Sequence, residues 1–268
     1  MTTFTVPDAL SSALPHLPPH LPTLLLSVLA FAVLQAFGTP LLVRASLGAG
    51  KWATLSRRSR GAWGSHTVSM AHALVILPLA LAQMDSAALE HERVFGWDDS
   101  AGALFAISSG YFLYDTLASL VYYEGLGFVL HGVSCLCIYA LAFRPFLAYF
   151  GARFLLWELS TVFLNIHWFI DKTGRTGTRL QLVNGVFLLG SFALSRLVYG
   201  TFMSYQFYVA IYAVRARIPP AMFYGVQVGN VLLQGLNWFW FTKMISALRR
   251  RFSEPAPAKA RNGHVKTS

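Results

Sequence analysis

The sequence predicts an all-α protein, a polytopic bundle of about seven transmembrane helices, on three observations. Hydrophobic residues make up 55% of the chain and charged ones only 12%, against roughly 25% charged in a soluble domain. The apolar residues fall in separate runs, each near the ~20 residues that cross a bilayer core. The Lys and Arg that give a formal charge of +10 sit mostly between and after those runs. That is a topology signal, and no basic helix or recognition motif speaks for nucleic acid as a partner. Cys135 and Cys137 stand two apart on one predicted helix and point in different directions, so neither a disulfide framework nor a metal pair is implied.

In chain order, residues 1–22 (with PHLPPHLP) are polar and Pro-rich and read as a disordered or interfacial lead. Span one runs from Leu24 to about Val43. No Lys or Arg precedes Arg44, so the positive region of a cleavable signal is missing and a retained span is expected. Arg44, Lys51, Arg57, Arg58 and Arg60 form a basic loop, and residues 23–55 group the first span with most of it. Span two covers about 64–84, and the loop after it, MDSAALEHERVFGWDDS, is acidic. Spans three, four and five cover about 102–122, 126–143 and 147–170. Arg144-Pro145 divides the last two, because proline cannot continue a helix past its first turn. Span four is only just long enough to cross, and a re-entrant course there would change the count. The loop DKTGRTGTR leads to span six, about 180–204, and residues 205–219, ending Arg-Ala-Arg-Ile-Pro-Pro, close that connection. Span seven covers about 221–246. Arg249-Arg250-Arg251 follows, read as an anchor on anionic headgroups, and then a basic tail, 254–268, expected to be disordered. No internal repeat is visible.

Seven spans put the termini on opposite sides. Fifteen Lys and Arg lie in loops 44–60 and 171–179 and from Lys243 onward, against five (Arg93, Arg144, Arg153, Arg215, Arg217) on the other side. The positive-inside rule then predicts a cytosolic C-terminus.

The stretch from Gly110 to Lys172 carries Asp115, Glu124, His131, Glu158, Asn165, His167 and Asp171 in otherwise bilayer-compatible sequence. Ionisable groups are expensive in hydrocarbon and usually face a bundle interior or a wet cavity. At ~1.5 Å per residue Asp115 lies some 12 Å from the basic edge. His131, Asn165, His167 and Asn237 fall at comparable depth, which predicts one pocket open toward the cytosol. Glu158 and Arg196 share a level ~14–17 Å from the opposite edge, where an opposite-charge pair would lower the cost of burying either. Gln227, Asn230, Gln234 and Asn237 form an amide stripe on span seven, read either as interhelical glue or as a ligand-lined channel. Asp115 has two readings as well, a partner of Tyr111 or Ser119 on its own helix or a site residue. His131 reads as carbonyl-bonded or functional, and His167, beside Trp168, as a residue of the interfacial belt or of the site.

Trp63 with Ser65-His66-Thr67, then Gly110-Tyr111-Phe112-Leu113-Tyr114-Asp115, the Phe-Val-Leu-His131 step, and Arg153 through Glu158-Leu-Ser160-Thr161 to Asn165 resemble the TLC-domain family. The resemblance spans about residues 56–253. That family includes the ceramide synthases, the translocon-associated TRAM proteins and TLC-domain proteins tied to lipid handling. Ceramide synthases place two adjacent histidines where this chain has His131-Gly132, and their paired aspartate motif is not found here, so the resemblance is to the non-synthase branch. It implies a multi-pass protein of the endoplasmic reticulum or plasma membrane that binds membrane lipids and influences phospholipid or sphingolipid homeostasis. Asp115, His131, Glu158, Asn165, His167, Arg196 and Asn237 would line the site, and a homodimer is admitted. One alternative is an acyl-CoA-dependent N-acyltransferase, with His131 as general base, Asp115 orienting it and acyl-coenzyme A as substrate. Another is a transporter, which no inverted repeat supports. No cofactor or metal is expected.

Overall fold

A computed structural model describes residues 7–123 and 125–253, the side chains of 250–253 excepted. Glu124, the tail 254–268 and the side chains of Arg250 and Arg251 lie outside the described residues. Within them the chain is helical, with no strand. A short helix α1 (Asp8–Ala13) opens the described chain. Helix α2 (Pro18–Leu47) is a rod in which Leu34–Gly38 widens to a π-helix. Then come α3 (Lys51–Thr54), α4 (Arg57–Ala82), α5 (Ala87–His91), α6 (Asp99–Tyr122) and α7 (Leu126–Ala142). Rod α8 (148–172) runs from Ala148–Phe154 through a 3-10 turn, Leu155–Trp157, into Glu158–Lys172. Rod α9 (Arg179–Ala213) holds a π-helical stretch, Ala193–Tyr199, and α10 is Pro220–Ser253.

The lead is ordered where it is described. His16 donates its backbone N–H to the Phe143 carbonyl at 3.0 Å and its ring packs 4.3 Å from the Trp97 ring, while Leu17 is buried. Helix starts follow local chemistry. Ser56 caps α4 by accepting from the Ser59 N–H at 3.2 Å, and Thr178 caps α9. Asp98 caps α6 and also accepts from the hydroxyls of Ser100 and Ser86, and these bonds hold its carboxyl below the usual carboxylate range. Rod α9 extends past the expected end near 204 to Ala213, because Tyr-Gln-Phe-Tyr-Val-Ala-Ile-Tyr-Ala offers no breaker. Helix α7 has 17 residues, about 25 Å against ~30 Å of hydrocarbon. Its far end is finished inside protein by Phe143 and Phe146, both buried.

Helices α2, α4, α6 and α9 are each long and apolar enough to cross a membrane, and α7 is a shorter apolar helix. The packing closes a ring in the order α2, α6, α7, α10, α9, α8, α4. Helix α6 is the most enclosed of the four. At Gly110 the backbones of α2 and α6 come so close that a β-carbon would stand 2.7 Å from the Leu24 carbonyl oxygen, the close approach that small residues permit in membranes. Leu26, Leu29, Phe37 and Leu41 on α2, and Val186, Phe187, Leu194 and Val198 on α9, face outward exposed. Such a surface has no place on a water-soluble monomer but matches hydrocarbon. The chain is a multi-pass integral membrane protein.

Candidate functional site

Arg196 stands at the middle of the ring, on the π-helical stretch of α9, and is buried. Its guanidinium donates three hydrogen bonds: Nε to Ser160 Oγ at 2.8 Å, Nη2 to Thr161 Oγ1 at 3.0 Å and Nη1 to Asn237 Oδ1 at 3.1 Å. One side chain thereby ties α8, α9 and α10. The wide turn also turns out the Arg196 carbonyl, which accepts from Gln234 Nε2 at 3.1 Å, as π-bulges free backbone groups. The expected Glu158–Arg196 ion pair does not form as a contact, although the two charges lie within electrostatic reach of one another. Glu158 instead approaches His72 on α4, Oε2 to Nδ1 at 3.9 Å.

His72 is fully buried, stacked on Tyr111 at 3.8 Å between centroids, and neither ring nitrogen has a hydrogen-bond partner among the described residues. One turn and a half away, His66 Nδ1 is 2.7 Å from Asn165 Oδ1, and Asn165 Nδ2 donates to Ser69 Oγ at 3.1 Å. Asn165 thus belongs to a link between α4 and α8. His167 faces α9, its Nε2 3.5 Å from the Gln181 amide nitrogen. Asp115 lies against α7: a β-carbon on Gly132 would stand 3.4 Å from its Oδ2 and 2.7 Å from Thr116 Oγ1. Next to that glycine, His131 packs against Phe112 and Trp240, with both ring nitrogens 3.9 Å from Cys135 Sγ. Cys135 is within electrostatic reach of Glu158, Asp115 and Arg196, and His131 of Arg196.

Asp115, His131, Glu158, Arg196 and Asn237 therefore surround one interior, and Asn165 and His167 sit on its α4 and α9 margins. A void beside them lies toward the Leu141–Phe150 end. A narrow cleft of about 50 Å³ runs between α7, α8, α9 and α10, with Leu141, Phe146, Leu147, Phe150, Phe207 and Val226 among its walls. Cys135, Trp157 and Asn230 also line it. None of its lining residues comes from the loops at the basic end. Leu147 adopts a left-handed φ of 62° at the cleft rim, a conformation that costs about 1–3 kcal/mol outside glycine. Among the described residues no three His, Cys, Asp or Glu side chains group as a metal site.

Three of the amides of α10 act between helices: Asn230 donates to Ser204 Oγ at 3.1 Å, Gln234 to the Arg196 carbonyl and to Thr201 Oγ1 at 3.1 Å, and Asn237 accepts from Arg196. Gln227 bonds back to the Phe223 carbonyl of its own helix. The neutral contacts are weak, and Asn230→Ala is expected to cost only about 0.6 kcal/mol in a detergent unfolding titration. A cost several times larger would mean that Asn230 does more than join α10 to α9. His66, Ser69 and His72 were not singled out as site residues from the sequence. Their spacing of three along an apolar span was the available signal.

The TLC domain profile matches residues 62–246. The chain belongs to the TLC-domain family. An uncharacterized TLC domain-containing protein of Schizosaccharomyces pombe is 35% identical over 240 residues, covering 89% of this chain and 82% of that protein. Topoisomerase I damage affected protein 4 of Saccharomyces cerevisiae is 30% identical, over 72% of this chain and 71% of its own length. TLC domain-containing protein 4 of Homo sapiens is 27% identical, over 78% and 82%. These names fit the non-synthase branch. No solved structure matches the chain. Within this TLC domain Gly132 occupies the position where the resemblance to synthases would put a second histidine, and the Thr116 hydroxyl stands where that side chain would begin.

Proposed function

We propose that this TLC-domain protein binds a membrane lipid with an acyl chain in the α7–α10 cleft and the polar group turned toward His131, Cys135 and Arg196, and that it thereby influences phospholipid or sphingolipid composition. The observation that supports this reading is the continuity of an apolar cleft with a buried polar interior at Cys135. Ligand sites combine apolar walls with a few convergent polar groups in this way. The basic loops favour a cytosolic C-terminus, and the endoplasmic reticulum or plasma membrane is the proposed location. A photoactivatable fatty-acyl lipid should label cleft residues of the purified protein. Val226→Trp, which fills the cleft, is expected to lower that labelling about tenfold, the scale of one well-packed contact surface, while Val228→Trp on the outer face leaves it unchanged. Equal labelling in both variants would refute the cleft as the site. Cells lacking the gene should show an altered lipid profile that the Val226→Trp protein fails to restore. Turnover of acyl-coenzyme A with a sphingoid base, lost in His131→Ala, would replace binding with acyl transfer.

A further inference from the structure

A second, open depression of about 500 Å³, sharing no lining residue with the cleft, lies at the basic end between α2, α6 and the α3–α4 corner. Its walls include Ala32, Ala36, Ala118 and Val121, with Trp52 and Arg60 at its mouth. Four features set it apart from an ordinary seam between helices. The π-helical stretch Leu34–Gly38 of α2 lies beside it and places Gln35 and Ala36 in its wall, and π-bulges gather at functional sites. Arg60 is held in place by the backbone, with Nε donating to the Trp52 carbonyl at 3.2 Å and Nη2 to the Ala53 carbonyl at 2.8 Å. Its Nη1 has no protein acceptor among the described residues, which leaves donors of a fixed lining cation for an anion. Tyr114 lines the interior, is buried, and its hydroxyl has no partner among the described residues. A buried phenol without a partner is rare in a seam made for packing alone.

On the α2–α4 side the charge has one sign. Arg44, Lys51, Arg57, Arg58 and Arg60 fall in a stretch, residues 9–84, that contains no Asp or Glu. Arg57 lies over the Tyr122 ring at 5.9 Å, and the Tyr122 hydroxyl accepts from Gln35 Nε2 at 3.3 Å. An occupant must then offer an anion to a guanidinium at the membrane surface and an apolar chain to a trough floored by alanines. We propose that this groove binds an anionic glycerophospholipid, its phosphate at Arg60 and one acyl chain along Ala32, Ala36 and Ala118. Guanidinium recognises phosphate through its planar donor fork. The site is separate from the cleft and does not depend on what the cleft holds.

Native mass spectrometry of the detergent-purified full chain, titrated with phosphatidylglycerol or with phosphatidylcholine of the same acyl chains, tests it. Retention of phosphatidylglycerol is expected to exceed that of phosphatidylcholine about tenfold, the scale of one charge-assisted hydrogen bond. Arg60→Gln should erase that preference, whereas Arg58→Gln, an exposed residue outside the groove, should keep it. Ala118→Leu leaves every charge in place and narrows the trough, and should weaken retention of phosphatidylglycerol. That variant decides the matter if Arg60→Gln fails to fold. Equal retention of the two lipids, equal losses in Arg58→Gln and Arg60→Gln, or undiminished binding in Ala118→Leu would each overturn the proposal. So would displacement of the lipid by equimolar glycerol 3-phosphate, which would make the ligand a soluble phosphate ester.

Discussion

Arg196→Ala is expected to lower the free energy of unfolding by roughly 3–5 kcal/mol, a large part of the stability of an ordinary domain. Each hydrogen bond from a charged donor contributes about 1.5–3 kcal/mol, several times the average neutral contact between membrane helices. Three such bonds converge here from one side chain on α9 to two residues of α8 and one of α10. Alanine also leaves Asn237 Oδ1 buried without a donor. Arg196→Lys should recover little, because one ammonium on a flexible stem cannot reproduce the planar fork that meets acceptors on two other helices. An SDS unfolding titration of the purified protein measures both. A loss under about 1 kcal/mol for the alanine variant would mean that water reaches the interior and substitutes for the guanidinium.

Gly132→His, which would recreate the pair of adjacent histidines, is expected to separate α6 from α7 and destabilise the protein by at least the 1–3 kcal/mol of an overpacked core. The first added carbon would already stand 2.7 Å from Thr116 Oγ1. Thr116 is itself buried on α6, and its α-carbon would stand 3.4 Å from the same added carbon, so the rest of an imidazole meets the helix itself. Pairing the change with Thr116→Gly should return much of the stability, and the coupling energy of the double-mutant cycle measures it. Independent, additive effects at the two positions would show that the helices part easily, and that the absent second histidine is no matter of space.

The helical class and the break between α7 and α8 were legible because they rest on composition and on Arg144-Pro145. Which polar groups meet was only partly legible. Depth along a helix follows from counting residues, and it placed Glu158 and Arg196 at one level. Azimuth does not follow when a rod departs from 3.6 residues per turn. The 3-10 turn at Leu155–Trp157 and the π-helical stretch at Ala193–Tyr199 each alter the angle at which the next side chain leaves the axis. Arg196 therefore reaches Ser160, Thr161 and Asn237, while Glu158 faces His72. The cleft between α7 and α10 was not legible for a related reason: its position depends on where α7 ends inside protein, which hydropathy does not record.

The widened stretch of α9 also fixes the helix's numerical length. Asn184 ahead of it donates to the Phe163 carbonyl of α8, whereas Thr201 and Ser204 beyond it meet α10. Taking up surplus residues in the wide turn is what lets the two halves present different faces to different neighbours. Deleting a single amino acid between 193 and 199 would remove the surplus residue, restore ordinary winding and abolish the wide turn that sets Arg196 against Ser160, Thr161 and Asn237. In-frame shortening there should be far less tolerated than point substitution at the same lipid-facing positions, a form of selection that acts on the spacing of the chain more than on its chemistry.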